Sequence, residues 1–363
     1  MTDHNHVRLV LPGPVEVRRE ILDAQGQWMI GHRGEAFSEL FARVEDRLKQ
    51  MFLTQHRVYI VGSSGSGLWE GAVRNSVRDD RRVLHCVNGA FSERWVDVSL
   101  ANGKQVDVIS VDWGRAITPE MVAAALDGAQ YDAVCVVHNE TSTGVTNPIR
   151  EIAGVVHQHE DTLLLVDTVS GFVGAELRVD DWGIDVALTS SQKAFALPPG
   201  LAFAAVSDRV LERANQIEYR GFYFDFLQYE KHIQKSSTPS TPPVSLLFAA
   251  DAQLEAMLAE GLENRWARHV AMRDHTIEWA QARGFGLFAE EGYRSPTVTT
   301  IANTPGIDVN ALAAFMREER GFAIDRGYGK LKGQTFRIPH MGDMQPETLQ
   351  EVLAGIDDFL ARQ

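Results

Sequence analysis

The chain has only two cysteines in 363 residues, Cys86 and Cys135, and both sit inside apolar runs. Two thiols cannot build a disulfide framework or a cysteine-rich metal centre, so a reducing compartment, the cytoplasm, is expected. Long hydrophobic runs are missing too. No apolar stretch approaches the ~18 residues that span a bilayer, and Met1 to Val10 carry His, Asp and Asn where a secretory leader would be apolar. The sequence reads as soluble, with no membrane partner. Positive charge is also in short supply: 35 Lys and Arg stand against 49 Asp and Glu, a formal charge of −14. Holding a polyanion by general electrostatics needs a clustered basic excess, which excludes nucleic acid and anionic membrane as partners.

What is present is globular material, 44% hydrophobic and 23% charged, long enough for one large domain and a smaller one. Between residues 58 and 206, short apolar runs alternate with helical patterns. The runs are Val58–Val61, Val83–Val87, Val106–Val111, Ala133–Val137, Leu163–Val166, Val186–Leu188 and Leu201–Val206. Several are apolar throughout, as strands covered on both faces must be, so the expected fold is α/β with a mainly parallel, doubly wound seven-stranded sheet. Phe37, Leu40, Phe41, Val44, Leu48 and Phe52 have helical spacing, and 120–126 and 149–159 also read as helices. The turn-rich Ser236 to Pro243 reads as a boundary loop, followed by a long helical region to about Arg283. A strand at 297–301, a helix at 309–317, a strand at 335–338 and a closing helix follow. The expected organisation is a large domain over 31–261 and a smaller C-terminal α/β domain over 262–363, joined by the N-terminal segment 1–30.

The run Leu163 to Asp167 puts a carboxylate at the end of a buried strand, where open α/β sheets bind ligands. Alone, Asp167 serves equally as a cap of the next turn through Thr168 or Ser170. Lys193 follows 26 residues later, after a second strand, which brings an amine to the same sheet edge. Alone, it is a solvated lysine. Together they suit pyridoxal 5′-phosphate (PLP), which needs a lysine for its Schiff base and a carboxylate facing its pyridinium nitrogen. A phosphate cradle is then required, and Gly62-Ser63-Ser64-Gly65-Ser66-Gly67 follows the first strand and opens a helix. This turn is neither a P-loop, since no Lys follows, nor a complete G-x-G-x-x-G, since Glu70 occupies the last position.

Pro12-Gly13-Pro14, Gly31-His32-Arg33, Ser64-Gly65-Ser66-Gly67 with Glu70, and Asn88-Gly89-Ala90-Phe91 are followed by His138 to Gly144, Val166-Asp167 and Ser191-Gln192-Lys193-Ala194. Thr241-Pro242-Pro243-Val244, Gly261-Leu262-Glu263-Asn264 and Phe336-Arg337-Ile338 complete the series. In this order and spacing the chain resembles, over nearly its whole length, the class V, fold-type I aminotransferases, particularly the serine/alanine–glyoxylate and serine–pyruvate group. The resemblance implies the PLP-dependent transferase fold and a ping-pong transfer of an amino group from alanine or serine to glyoxylate or pyruvate. Lys193 is implied as Schiff-base residue and general base, and Asp167 as the partner of the ring nitrogen. Ser64, Gly65, Ser66 and Gln192 would hold the phosphate, joined by Thr241 from a second subunit, so that a homodimer shares its active sites. Phe91 would stack on the ring where the family often has Trp, Val169 would pack on the opposite face, and Thr141 would touch the ring or its O3′. Arg337 would take the substrate carboxylate, with Gly13 beside it. No metal is assigned to His32, His138 or His340.

Phosphoserine aminotransferase is the alternative, motivated by Lys330 and Lys332 close before Arg337. Cysteine desulfurases and lyases of the same fold are more distant. They typically have His before the Schiff-base lysine and a cysteine on a mobile loop, whereas here Gln192 precedes Lys193. A non-catalytic PLP-binding module would need a DNA-binding extension, and none is visible.

Overall fold

Seven mostly apolar runs form one sheet in the computed structural model, which describes residues 6–362; Met1 to Asn5 and Gln363 lie outside the described residues, and with them part of the N-terminal reading. The strands are β1 (Arg57–Val61), β2 (Arg82–Val87), β3 (Gln105–Ser110), β4 (Ala133–Val137), β5 (Leu163–Asp167), β6 (Val186–Ser190) and β7 (Ala202–Val206). Their order is β1-β7-β6-β5-β4-β2-β3. β2 through β6 pair in parallel, and β7 runs antiparallel to both its neighbours. Every residue of β4, β5, β6 and β7 is buried, because helices cover both faces.

The period of two along each strand divides its side chains between two cores. Leu164 and Val166 of β5 join one cluster, with Val44, Ile152 and Leu254 from helices Glu35–Phe52, Ile149–Val156 and Val244–Glu260. Leu163 and Leu165 join the other, with Leu68, Trp69 and Val73 from helix Gly65–Ser76. Asp167 continues that second row. By the same alternation Ser190 follows Val186 and Leu188 onto the Asp167 side of the sheet. The carboxyl ends of β4, β5 and β6 lie side by side, with Val137 opposite Asp167 and Asp167 opposite Leu188.

The long helical region expected after the boundary loop is two helices, Val244–Glu260 and Leu262–Ala282, divided by Gly261 at φ +81°. A residue with a Cβ is strained there, so the break is local chemistry. Beyond it Val298–Ala302 pairs antiparallel with Gly286–Leu287 and Thr335–Pro339. A third core gathers Met272, Ile301, Leu312, Phe336, Val352 and Ile356, together with Val10. Val10 reaches it because Arg8–Val10 pairs in parallel with Phe322–Ile324. Among the described residues no helix is long and apolar enough to cross a membrane.

Candidate active site

At the carboxyl edge of β4–β6 lies a cavity of about 150 Å³, lined by Ser64, Gly65, Ser66, Phe91, Thr141, Asp167, Val169, Gln192 and Lys193. Nine of the sequence-selected residues therefore meet in one place. Trp69, Arg94, Asn139, Ser170 and Ser190 also line it.

Asp167 is 3% exposed. Trp69 Nε1 donates to its Oδ2 at 2.7 Å, and the Val169 N–H donates to its Oδ1 at 2.6 Å. Burial still dominates and pushes the carboxyl up to about 7, helped by Glu140 and opposed by those two hydrogen bonds and by Lys193. An acid so placed is short of a cation. Its role as a turn cap is real, through the Val169 N–H, and occupies one of its two oxygens.

Lys193 follows β6 in a turn, and its Nζ donates to the Pro12 carbonyl. The amine lies 5.5 Å from the Phe91 ring centroid. Burial, with Arg337 nearby, lowers it to about 8, against the pull of Asp167, Asp325 and Glu140. The close approach of Pro12 is possible only because residue 13 lacks a side chain: a Cβ on Gly13 would sit 2.3 Å from Lys193 Cδ, and its φ is +112°. Gly13 is thus a packing partner of the lysine stem.

The helix that carries Trp69 begins at Gly65, with Ser64 as its unbonded N-cap. The N–H groups of Gly65 and Ser66 have no carbonyl one turn back, while Gly67 N donates to the Ser64 carbonyl at 3.1 Å; with the dipole they make this helix end an anion site at the cavity. A Cβ on Gly65 would meet Val169 Cγ2 at 2.8 Å, so only glycine lets that turn approach the Val169 wall. Ser190 Oγ and Asn139 Nδ2 are buried in the cavity wall without a hydrogen-bond partner. Such groups are costly unless something enters to meet them. Glu140, fully buried, accepts from Ser92 N at 3.0 Å and Ser142 Oγ at 2.6 Å, fixing the start of helix Ala90–Ala101 and so Phe91.

Arg337 stands outside the cavity lining on strand Thr335–Pro339. Its Nε and Nη2 each donate to Asp325 at 2.7 Å, and Nη1 donates to the Thr141 carbonyl at 2.8 Å. Thr241 is exposed and outside the cavity of its own chain, with Oγ1 3.4 Å from His32 Nε2. Arg33 pins the same loop through Ser237 Oγ and the Thr238 carbonyl, both at 2.7 Å. Lys330, one of the two lysines that raised the phosphoserine alternative, lies 4.1 Å from the Trp113 ring centroid, and other nearby cations are dispersed: Arg326 donates to Asn310, and His340 is buried between Thr299 and Pro296.

A lysine and an acid at adjacent strand ends, facing a helix N-terminus across an α/β sheet, define a site built for PLP. The residues fit the group: a buried acid wanting a cation, an amine of lowered basicity, and an anion site beside an unpartnered hydroxyl. A family profile described as aminotransferase class V matches residues 19–332, and the chain belongs to that family of PLP-dependent transaminases. It is 37% identical over 354 residues to an uncharacterised aminotransferase of Methanocaldococcus jannaschii, covering 96% of this chain and 91% of that one. It is 32% identical over 359 residues to serine–glyoxylate aminotransferase of Arabidopsis thaliana, covering 97% and 90%. The crystal structure of alanine–glyoxylate aminotransferase from Nostoc sp. superposes with a TM-score of 0.93 at 28% identity, over 99% of this chain and 96% of that one.

The residues that sequence reasoning missed differ in kind. Ser190 could have been found by counting two from Leu188. Trp69, one turn into the helix, carried no signal that its indole would reach Asp167. Asp325 is paired with Arg337 by tertiary packing alone.

Proposed function

We propose that the protein moves an amino group from a small amino acid, alanine or serine, to glyoxylate or pyruvate in two half-reactions at this site. The observation that carries the reading is the Lys193–Asp167 pair, one amine and one carboxylate at neighbouring strand ends with opposite departures from their ordinary basicity. Family membership and the serine–glyoxylate and alanine–glyoxylate names of similar proteins support it.

PLP, when bound, supplies an electron sink for the carbanion formed at the substrate Cα. The chain's own residues do the rest. Asp167 would hold the ring nitrogen as a cation, with its carboxylate fixed in place by the Trp69 and Val169 hydrogen bonds. Lys193 would act as general base on the substrate Cα proton and carry it; a pKa of about 8 leaves part of it as free amine near neutral pH. Arg337, held rigid by Asp325, binds the substrate carboxylate. Phe91 and Val169 would face the two sides of the ring, Thr141 would touch its edge, and Ser64, Gly65, Ser66 and Gln192 would hold the phosphate. Gly13, packed on the lysine stem, would stand beside the substrate.

Thr241 of the partner subunit completes the phosphate site in a homodimer; its exposure in its own chain, on a loop pinned by Arg33, supports this. The large unit spans 31–261 and the small one 262–363, joined by 1–30, a division supported by the separate core that takes in Val10. The compartment is the cytoplasm, in keeping with two buried free thiols. Cofactor absorbance followed during single half-reactions with alanine, serine and phosphoserine tests the donor. Alanine or serine should react faster; a phosphoserine preference of about tenfold, roughly 1.4 kcal/mol, would overturn the choice.

A further inference from the structure

We infer that Tyr328 is a positioning residue that sets two parts of the site at once, the Phe91 ring for the cofactor and the Arg337 guanidinium for the substrate carboxylate. The inference rests on the transaminase reading of this site. Phe91 lines the cavity from the first turn of helix Ala90–Ala101. Its N–H donates to Glu140 at 3.3 Å and so fixes the backbone, but a phenyl ring has no polar handle, and packing on its faces alone sets its plane. Tyr328 supplies that packing, its ring stacked on Phe91 with centroids 5.1 Å apart and planes 25° apart. Tyr328 is half-buried and is not among the residues that line the cavity. It therefore backs Phe91 and leaves the cavity side to the cofactor.

The same ring stands beside Arg337, whose guanidinium carbon is 5.3 Å from its centroid, within reach of cation–π attraction. Asp325, three residues before Tyr328, accepts from Arg337 Nε and Nη2 at 2.7 Å each. Asp325 Oδ1 also accepts from the Gly327 N–H at 2.8 Å, and the Tyr328 carbonyl accepts from the Leu331 N–H at 3.0 Å. The loop that carries Tyr328 is thus tied to the carboxylate that holds Arg337. At its other end, Arg94 Nη2 donates to the Tyr328 hydroxyl at 2.9 Å, which fastens the tyrosine to the helix that carries Phe91. One aromatic side chain therefore spans the stacking ring and the carboxylate-binding cation, which belong to a helix near the start of the chain and a strand near its end. The flat ring makes both of these contacts, and the hydroxyl makes only the bond to Arg94. Leucine in its place fills volume but neither stacks nor attracts a cation.

The test measures the apparent PLP Kd by spectral titration, and KM for alanine at saturating PLP with glyoxylate as acceptor. Wild type is compared with Tyr328→Phe, Tyr328→Leu, Phe91→Leu and the double variant Phe91→Leu/Tyr328→Leu. In Tyr328→Leu the PLP Kd should rise about threefold to tenfold, the worth of an aromatic stack, and KM about twofold to fivefold, that of a cation–π contact. Tyr328→Phe keeps the ring and should hold both within about twofold of wild type. If Tyr328 acts through Phe91, its loss adds nothing to Kd once Phe91 is gone, so the double variant should match Phe91→Leu within about twofold. Tyr328 is half-buried, so loss of fold is not expected; a melting curve of each variant checks it. A ring that merely packs its loop gives additive losses in Kd or none, and either overturns the inference. So does an unmoved KM in Tyr328→Leu, or a Tyr328→Phe as impaired as Tyr328→Leu, which would put the role in the hydroxyl and Arg94. A wild type that binds no PLP would instead defeat the transaminase reading, and the inference with it.

Discussion

Replacing Asp167 by Asn is expected to change how the stability of the cofactor-free protein depends on pH, apart from any effect on catalysis. The folded chain holds Asp167 protonated up to about 7, whereas in the unfolded chain an aspartate ionises near 3.9. Between those values the folded state binds the extra proton, so stability falls as pH rises; the contribution is fully present below the unfolded value and gone above the folded one. About three pH units at 1.36 kcal/mol each give on the order of 4 kcal/mol. Asn cannot ionise and removes this slope. The difference in stability, Asn variant minus wild type, should therefore grow by about 4 kcal/mol between about pH 4 and pH 7, whatever constant offset the amide introduces. For a chain of this length, with unfolding entropy near 2.1 cal/mol/K per residue, that is a relative gain in Tm of on the order of 5 °C. Melting curves of both cofactor-free proteins across that range measure it. A difference that stays flat with pH would show that Asp167 is an ordinary carboxylate and would refute the argument from burial. In the loaded enzyme the same substitution should lower turnover by orders of magnitude, because a neutral amide cannot hold the ring nitrogen as a cation.

Lys193→Ala should lose the visible absorbance of the yellow wild-type protein and nearly all turnover; transamination near the wild-type rate would remove Lys193 from the mechanism. Gly13→Ala should drive a methyl into the Lys193 stem at a strained backbone position, costing about 1–3 kcal/mol and lowering kcat; a wild-type kcat would show that the contact yields freely. Trp69→Phe removes the indole hydrogen bond to Asp167, so kcat/KM should drop about tenfold and the acid limb of its pH profile should move upward. An unmoved limb would leave Trp69 as packing only. Activity should track the dimer in sedimentation experiments across a dilution series, and an active monomer would defeat the role given to Thr241 of the partner subunit.

The sheet was readable because its strands are buried on both faces, and continuous apolar runs such as Leu163 to Val166 have few other uses. What escaped had no periodicity to betray it. Arg8–Val10 and Phe322–Ile324 are three-residue strands that exist only because they pair with each other across most of the chain. Helix Ala90–Ala101 has a weak apolar face and is set in place by Glu140, 50 residues from its start. At the site, Asp167 and Lys193 were legible from strand ends and the glycine–serine turn from its composition. Tyr328 and Arg94 were not, because their meeting depends on a loop from the end of the chain folding over a helix near its beginning.

The most direct test of the central claim is a half-reaction. The purified protein, loaded with PLP, is mixed with alanine or serine in the absence of any oxo acid, and the visible cofactor band is recorded. The account predicts that the band is lost in step with formation of one oxo acid per site, and that glyoxylate restores it with one glycine formed. A band that does not change with any amino acid, or amino-acid breakdown that continues without an acceptor and releases ammonia or sulfide, would contradict it.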